Sequence, residues 1–269
     1  WPGAAARRRA HSRIMPRALD RVLPLVFFVL LLAAWQVGCD ALKVQEFLLP
    51  SPLAIVAKIA EVPARMILHT MTTLREVLIG FAAACVGGIV LASFTAHSRM
   101  FARTVFPMMV MSQTVPTIAI APILVIWFGP GDASRLIVVF LIAFFPMVVN
   151  TTAGLLRVNE ELIDLARGLN ASRWKIFTKI RMPNALPHIF TGMRISIALS
   201  VIGAVVAEFV AAEQGLGYLI FSANTNLDTK LVFAGVVLLA VMGIILFQAV
   251  RIAQQLALPW AREAAPGGR

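Results

Sequence analysis

Charge is what this sequence has least of. Only 14% of its 269 residues are Asp, Glu, Lys or Arg, against roughly 25% in soluble globular domains. A soluble fold of this length has a surface that so few charges cannot cover, and 59% of the chain is hydrophobic. The mean hydropathy of +0.85 agrees. The apolar residues must face lipid, which excludes a soluble protein. Cysteine is also scarce: Cys39 and Cys85 stand alone, with no CxxC and no nearby His or Cys, so neither belongs to a metal site and both read as small buried hydrophobes. Absent too are a GxxxxGK[ST] phosphate loop and an acidic cluster for magnesium, so the chain does not itself hydrolyse ATP. There is no HExxH, no GxSxG and no pair of intramembrane carboxylates, which leaves a membrane-enzyme reading without a catalytic constellation. No cofactor and no metal are expected. Neither an internal repeat nor a second, soluble domain is visible.

What is present is a series of apolar runs. A bilayer core about 30 Å thick takes roughly 20 apolar residues of helix. Residues 77–95, 105–128, 136–154, 189–212 and 231–250 meet or nearly meet that length. Residues 22–38 are shorter but uncharged through PLVFFVLLLAAW, and no small-residue cleavage site follows. The expectation is an all-α polytopic protein with six transmembrane helices.

The net charge of +11 reads as a topology signal and not as a nucleic-acid patch. With the N-terminus inside, the inner segments carry 17 Lys and Arg and a net +12, whereas the outer segments net −1. Both termini are therefore expected in the cytoplasm. Residues 1–21, with Arg7, Arg8 and Arg9, form a basic inner tail apposed to lipid, 39–69 an outer loop, and 255–269 an inner tail.

Helix breakers fall at membrane depth. The third span holds Pro107, Pro116 and Pro122 beside Ser112, Gln113 and Thr114. Each proline frees a carbonyl that a lipid-facing helix tolerates badly, so this span should face protein or a water-filled path. Gln113, Thr114 and Thr117 are pathway candidates, and so is Asn150, which follows Pro146 with Thr151 and Thr152 in the fourth span. The competing reading makes these residues packing glue between helices. Glu208 has two readings as well: contact with a gate or polar solute, or an outer-end residue paired with a neighbouring subunit or water. Gly87 and Gly88 read as close-packing positions, Gly215 and Gly217 as shaping an outer loop, and His69, His97 and His188 as interfacial residues.

The inner segment 155–188 is too long for a turn between spans. Leu162, Leu165, Ala166 and Leu169 recur at helical spacing, with Glu160, Glu161, Asp164 and Arg167 on the other positions. Asn170 tolerates the left-handed conformation that closes a helix, and Ser172 caps the next. A second short helix should run from Arg173 to about Arg181, with Trp174, Phe177 and Ile180 on one side, and end at Pro183 and Pro187. Such an element lies on lipid or inserts into a groove on a cytoplasmic partner. The pattern leaves both open.

The stretch ELIDLARGLNASRWKIFTKIRMPNALP resembles the EAA loop of binding-protein-dependent ABC importer permeases. Asp164, Leu165 and Ala166 stand at its Glu-Ala-Ala, Asn170 at its Gly, and Ile180 to Pro183 at its Ile-x-Leu-Pro, with matching spacings. LPSPLAIV, TLREVLIGF, APILVIWFG and VVAEFVAAEQGLGYLI resemble the nitrate/sulfonate/taurine subgroup in the same order. The departures are Asp for Glu, Leu for the first Ala, Asn for Gly and Met for Leu.

The resemblance implies a type I importer permease fold in a bacterial inner membrane, its permease domain spanning 70–254. It implies two permease copies forming a pathway for a small, anionic solute such as a sulfonate, taurine or nitrate. The implied partners are a cytoplasmic ATPase dimer, an extracytoplasmic solute-binding protein and membrane lipid, with no nucleic acid. In that setting the loop is the coupling element: Asp164, Leu165, Ala166, Leu169, Asn170, Ala171, Ser172 and Pro183 dock on the ATPase, with Trp174 and Phe177 as apolar anchors. An ion-coupled secondary transporter is the alternative, but it usually carries ionisable residues in mid-membrane and does not account for the long loop.

Overall fold

The computed structural model describes residues 17–112 and 114–259. Gln113, Arg7, Arg8 and Arg9 lie outside the described residues. Every regular element among the described residues is helical. The chain runs through α1 (Arg17–Ala41), α2 (Pro52–Glu61), α3 (Pro63–His97), α4 (Arg99–Ser112), α5 (Thr117–Phe128), α6 (Asp132–Leu156), α7 (Glu160–Gly168), α8 (Arg173–Ile176), a π-helical segment (Phe177–Arg181), α9 (Met182–Ala211), α10 (Leu216–Thr225) and α11 (Thr229–Ala257). Among the described residues, five helices are long and apolar enough to cross a membrane: Val22–Ala41, Pro63–His97, Asp132–Leu156, Arg173–Ala211 and Thr229–Ala257. Without water, backbone groups are satisfied within a helix, which is why the apolar runs take this form.

The expected third span is broken in two. Its 105–128 run is divided between α4, of 14 residues, and α5, of 12. At about 1.5 Å per residue each falls short of a 30 Å hydrocarbon core. The physical reason is Pro116, which sits at the N-cap of α5 in extended conformation (φ −66°, ψ 101°) and stops a continuous hydrogen-bond ladder. The second span, by contrast, is longer than its apolar run: α3 has 35 residues, and its first turns belong to the expected outer loop.

Helices α3, α6 and α9 form the centre, and small residues set their approach. A methyl group at Gly88 would meet Met147, and one at Gly80 would meet Val139, so α3 and α6 run side by side in parallel. Gly154 faces Ala185 and His188, Gly192 faces Met147, and Gly203 faces Val139, which is the antiparallel register of α6 on α9. Ser196 Oγ adds a hydrogen bond to the Ala143 carbonyl at 2.7 Å. Close contact between helices built on small residues is how membrane helices associate when lipid is as apolar as Leu. Around this trio, α5 packs through Ala121 and Leu124 against Val138 and Ala207. Helices α10 and α11 close the other side through Leu216, Leu219, Leu231 and Ala234. Cys39 and Cys85 are both free and buried.

The ends of the bundle differ in character. One end carries the α7–α8 corner. At the other, α2 is capped by Ser51 Oγ, which accepts from Ala54 N at 3.3 Å, and Lys58 joins it to Asp228 at 3.5 Å. Lys230 pairs with Glu46, and Thr229 Oγ1 donates to the Phe47 carbonyl at 2.7 Å. These contacts fold the 39–69 segment back over the start of α11.

Candidate functional site

The corner is built by local chemistry. Asn159 caps α7 by accepting from Glu161 N at 3.0 Å, with Glu160 and Glu161 in the first turn where they favour the helix dipole. Asp164 pairs with Arg167 at 3.0 Å along the exposed face. Leu169 N donates to the Leu165 carbonyl, and Asn170 takes the left-handed conformation at φ 58°, as its place in the loop requires. Ala171 N then reaches back to the Ala166 carbonyl at 2.9 Å, closing the turn. Ser172 Oγ accepts from Lys175 N at 3.3 Å and starts α8.

The apolar residues of this element divide between two destinations. Ile163, Val158 and Ile176 are buried together, with Ala166, Ala171 and Ile180 packed on them, so the corner has its own small core. Leu162, Leu165, Leu169 and Trp174 point away from it, with Trp174 68% and Leu169 75% exposed. Sequence reasoning saw the Leu row but missed Val158 and Ile163, whose burial comes only from the fold of α7 onto α8. Phe177, expected beside Trp174 as an anchor, is buried within the chain itself. Its ring lies 4.8 Å from that of His97 and 6.0 Å from that of Trp174.

Pro183 and Pro187 do not end the helix. The backbone stays helical from Arg173 to Ala211 through the π-helical segment, where Met182 N bonds to the Phe177 carbonyl. Pro183 lies in the first turn of α9, and the widened π turn absorbs its missing N–H. Arg181 Nη1 donates to the Ala96 carbonyl at 2.8 Å and ties this rod to the end of α3. Between them lies a cavity of about 790 Å³ lined by His97, Glu160, Asp164, Arg167 and Arg181 among others.

The candidate pathway residues do not form one cluster. Thr114 follows α4 in a turn, its hydroxyl donating to the Met111 carbonyl at 2.7 Å, and Thr117 opens α5 half-buried. Asn150 donates from Nδ2 to the Pro146 carbonyl at 2.8 Å on the face of α6 that meets Gly192. The neighbouring Thr151 and Thr152 hydroxyls are buried and have no partner among the described residues.

Glu208 is 1% exposed at the far end of α9, and its partners are intramolecular. Its Oε1 accepts from Thr73 Oγ1 at 2.6 Å and its Oε2 from Gly217 N at 2.5 Å. Thr73 Oγ1 also accepts from Leu216 N at 2.7 Å, and His69 Nδ1 accepts from Gly215 N at 3.0 Å. Three side chains thus receive the first N–H groups of α10, which a helix start leaves unpaired. Gly215 has φ 118°, and a methyl group there would collide with the Glu208 carboxylate. His69 and Thr73 were not tied to Glu208 by any sequence signal, since 135 residues separate Thr73 from it.

Beside this clasp runs a chain of charges that the sequence did not announce. Arg75 lies 3.5 Å from Asp132, Asp132 pairs with Arg135, and Arg135 Nε lies 3.1 Å from Glu76 Oε1. Glu76 is 5% exposed. Its contact with Arg135 is an ion pair with an angle too poor for a hydrogen bond, and its Oε2 has no hydrogen-bond partner among the described residues. Both residues stand just outside the apolar runs, so only helix packing reveals their burial.

Comparison with known proteins bears on this arrangement. Residues 86–260 match the model of the family described as binding-protein-dependent transport system inner membrane component. The formylaminopyrimidine transport permease protein ThiX of Halalkalibacterium halodurans is 36% identical, over 93% of this chain and all of its own. The riboflavin transport system permease protein RibX of Chloroflexus aurantiacus is 35% identical, over 87% of this chain and 88% of its own. The putative aliphatic sulfonates transport permease protein SsuC of Bacillus subtilis is 31% identical, over 86% and 84%. The fold is accordingly that of an all-α, polytopic type I permease. With a family model covering well over half its length, the chain belongs to the inner membrane components of binding-protein-dependent transport systems.

Proposed function

We propose that this chain is the membrane-spanning subunit of an ABC importer, forming a solute pathway with a second copy of itself. It couples that pathway to ATP hydrolysis on a separate cytoplasmic ATPase dimer, and an extracytoplasmic binding protein delivers the solute. The observation that carries the reading is the row Leu165, Leu169 and Trp174, exposed along α7, its C-cap and the first turn of the long helical rod that begins at Arg173, with a small core of their own behind them. An element that already buries Ile163 and Ile176 does not need this second apolar face for folding. A groove on a partner does. In this reading 70–254 is the permease domain and 155–188 its coupling loop, with Asp164, Asn170 and Ser172 shaping the tip. Both termini are cytoplasmic, so the Glu208 end of the bundle faces outward. Thr114, Thr117 and Asn150 border the pathway.

The solute is a small sulfonate, taurine or nitrate, by the motifs shared with that subgroup. A second reading, a nitrogen heterocycle, is favoured by one observation. The relatives named for formylaminopyrimidine and riboflavin are 36% and 35% identical, against 31% for the one named for sulfonates.

The test is co-purification of the permease with its ATPase, beside solute-stimulated ATP hydrolysis in proteoliposomes. Burying one large apolar side chain stabilises a contact by about 1.5–3 kcal/mol, or roughly ten- to a hundredfold in affinity. Trp174→Ala should weaken ATPase association by that factor. Leu169→Glu should do the same by placing an unpaired carboxylate in the contact. If both variants keep full complex and full stimulation, the exposed row is a lipid-surface element and the coupling role is lost.

A further inference from the structure

We infer that α2 is an in-plane helix whose outward face, Leu53, Val56, Ala57 and Ala60, is inserted among the acyl chains of the leaflet at the Glu208 end of the bundle. The partner this face fits is lipid, and neither water nor a soluble protein. That leaflet is the outer one by the topology proposed above, and the depth of α2 is independent of it.

The ten residues of α2 measure about 15 Å at 1.5 Å per residue, too short to cross a core of about 30 Å. The helix has three sides. Ile55, 3% exposed, and Ile59 pack with Leu231 and Ala234 of α11. Lys58 marks a polar side, where it reaches Glu61 at 3.3 Å and Asp228 at 3.5 Å. On the third side Leu53, Val56, Ala57 and Ala60 recur at i, i+3, i+4 and i+7, and all four are exposed, Leu53 by 69% and Val56 by 62%. A helix face turned to water carries polar residues. This one carries none.

Depth decides what covers it. Leu53 N donates to Gln36 Oε1 at 3.1 Å. Gln36 lies five residues inside the end of α1, about 7.5 Å along the helix. Val37, one residue further out on that apolar span, is 63% exposed. The start of α2 is therefore level with a lipid-facing part of α1, and the two apolar surfaces are continuous. The helix start is also complete without water. Pro52 has no N–H, Leu53 N goes to Gln36, Ala54 N goes to Ser51 Oγ at 3.3 Å, and Ile55 N goes to the Ser51 carbonyl at 3.1 Å. Helices commonly leave their first donors to water, and hydrocarbon has no acceptor to offer in its place. A soluble partner that docks and departs would leave the face wet between visits. Lipid covers it permanently, as it does other amphipathic helices that sink about 5–10 Å into the headgroup boundary.

The experiment is nitroxide accessibility in the full chain, spin-labelled and then assembled with its ATPase in phosphatidylcholine liposomes. Leu53→Cys, Val56→Cys, Ala60→Cys and Glu61→Cys are made singly in a background with Cys39 and Cys85 replaced by Ala. All four positions are exposed, so a label there displaces no packed side chain. Collisions are measured with molecular oxygen, which concentrates among acyl chains, and with a neutral nickel chelate, which stays in water. The oxygen-to-nickel ratio at positions 53, 56 and 60 should exceed that at position 61 several-fold. Nickel collisions at 53, 56 and 60 as frequent as at 61 would place the face in water, open to a soluble partner, and overturn the proposal. Weak collisions with both reagents at those three positions would overturn it too, by showing a face covered by protein, such as a second copy. The chelate is also added to one side of the liposomes at a time. A label at position 61 reached only from the face that carries the ATPase would reject the proposed topology and leave the insertion of α2 standing, so the two failures are distinguishable.

Discussion

At the scale of single residues, Glu208 shows how a buried carboxylate earns its place without chemistry. It receives the Thr73 hydroxyl and the Gly217 N–H, and with His69 and Thr73 it accounts for three successive donors at the start of α10. Removing it strands donors in a dry environment, at a cost of about 1–3 kcal/mol each. Glu208→Ala should lower the thermal unfolding midpoint in detergent, and Glu208→Gln, which keeps an acceptor oxygen, should lower it less. Gly215→Ala should also destabilise, because φ is 118° and the new methyl group meets the carboxylate. Combining Gly215→Ala with Glu208→Ala should cost less than the sum of the two, since the collision partner is gone; strict additivity would argue against the contact. At the corner, Asn170 is left-handed at φ 58°. Asn170→Gly should preserve ATPase association. Asn170→Val should reduce it, a left-handed L-residue costing roughly 1–2 kcal/mol.

At the scale of elements, the α3–α6 contact is vulnerable to a single change. Gly88 leaves no room for a side chain against Met147, and overpacking of this kind costs typically about 1–3 kcal/mol or more. Gly88→Leu should abolish monodisperse protein on size exclusion, whereas the same change at Gly243, with open space around it, should not. The helices themselves were legible because lipid demands long apolar runs, and α6, α9 and α11 lie where those runs lie. The corner was legible through its punctuation, Asn170 and Ser172. Three features were not. The division of the third run needed the backbone at Pro116, since a proline inside an apolar stretch permits either a kink or a break. The continuity past Pro183 depended on a π turn that no pattern reports. The pairing of Glu76 with Arg135 joins residues from two helices, each just beyond its apolar run. Hydropathy locates spans but does not say which polar residues at their margins packing will bury.

At the scale of the whole molecule, the asymmetry of basic residues and the position of the corner make one statement about sides. Cysteines introduced singly at Ser172 and Ser222, in a background lacking Cys39 and Cys85, should label from opposite faces of the membrane. Labelling of both by an impermeant reagent outside intact cells would contradict it. The continuous helix from Arg173 to Ala211 then acquires a mechanical meaning. Its 39 residues measure about 58 Å at 1.5 Å per residue. It carries the exposed Trp174 near one tip and the clasped Glu208 near the other. A strut of that length, pivoting about its packed middle, turns a tilt of about five degrees into a swing of roughly 2–3 Å at each tip, in opposite directions. A pull on the Trp174 tip and a shift of the start of α10 at the Glu208 tip would then be two ends of one lever stroke.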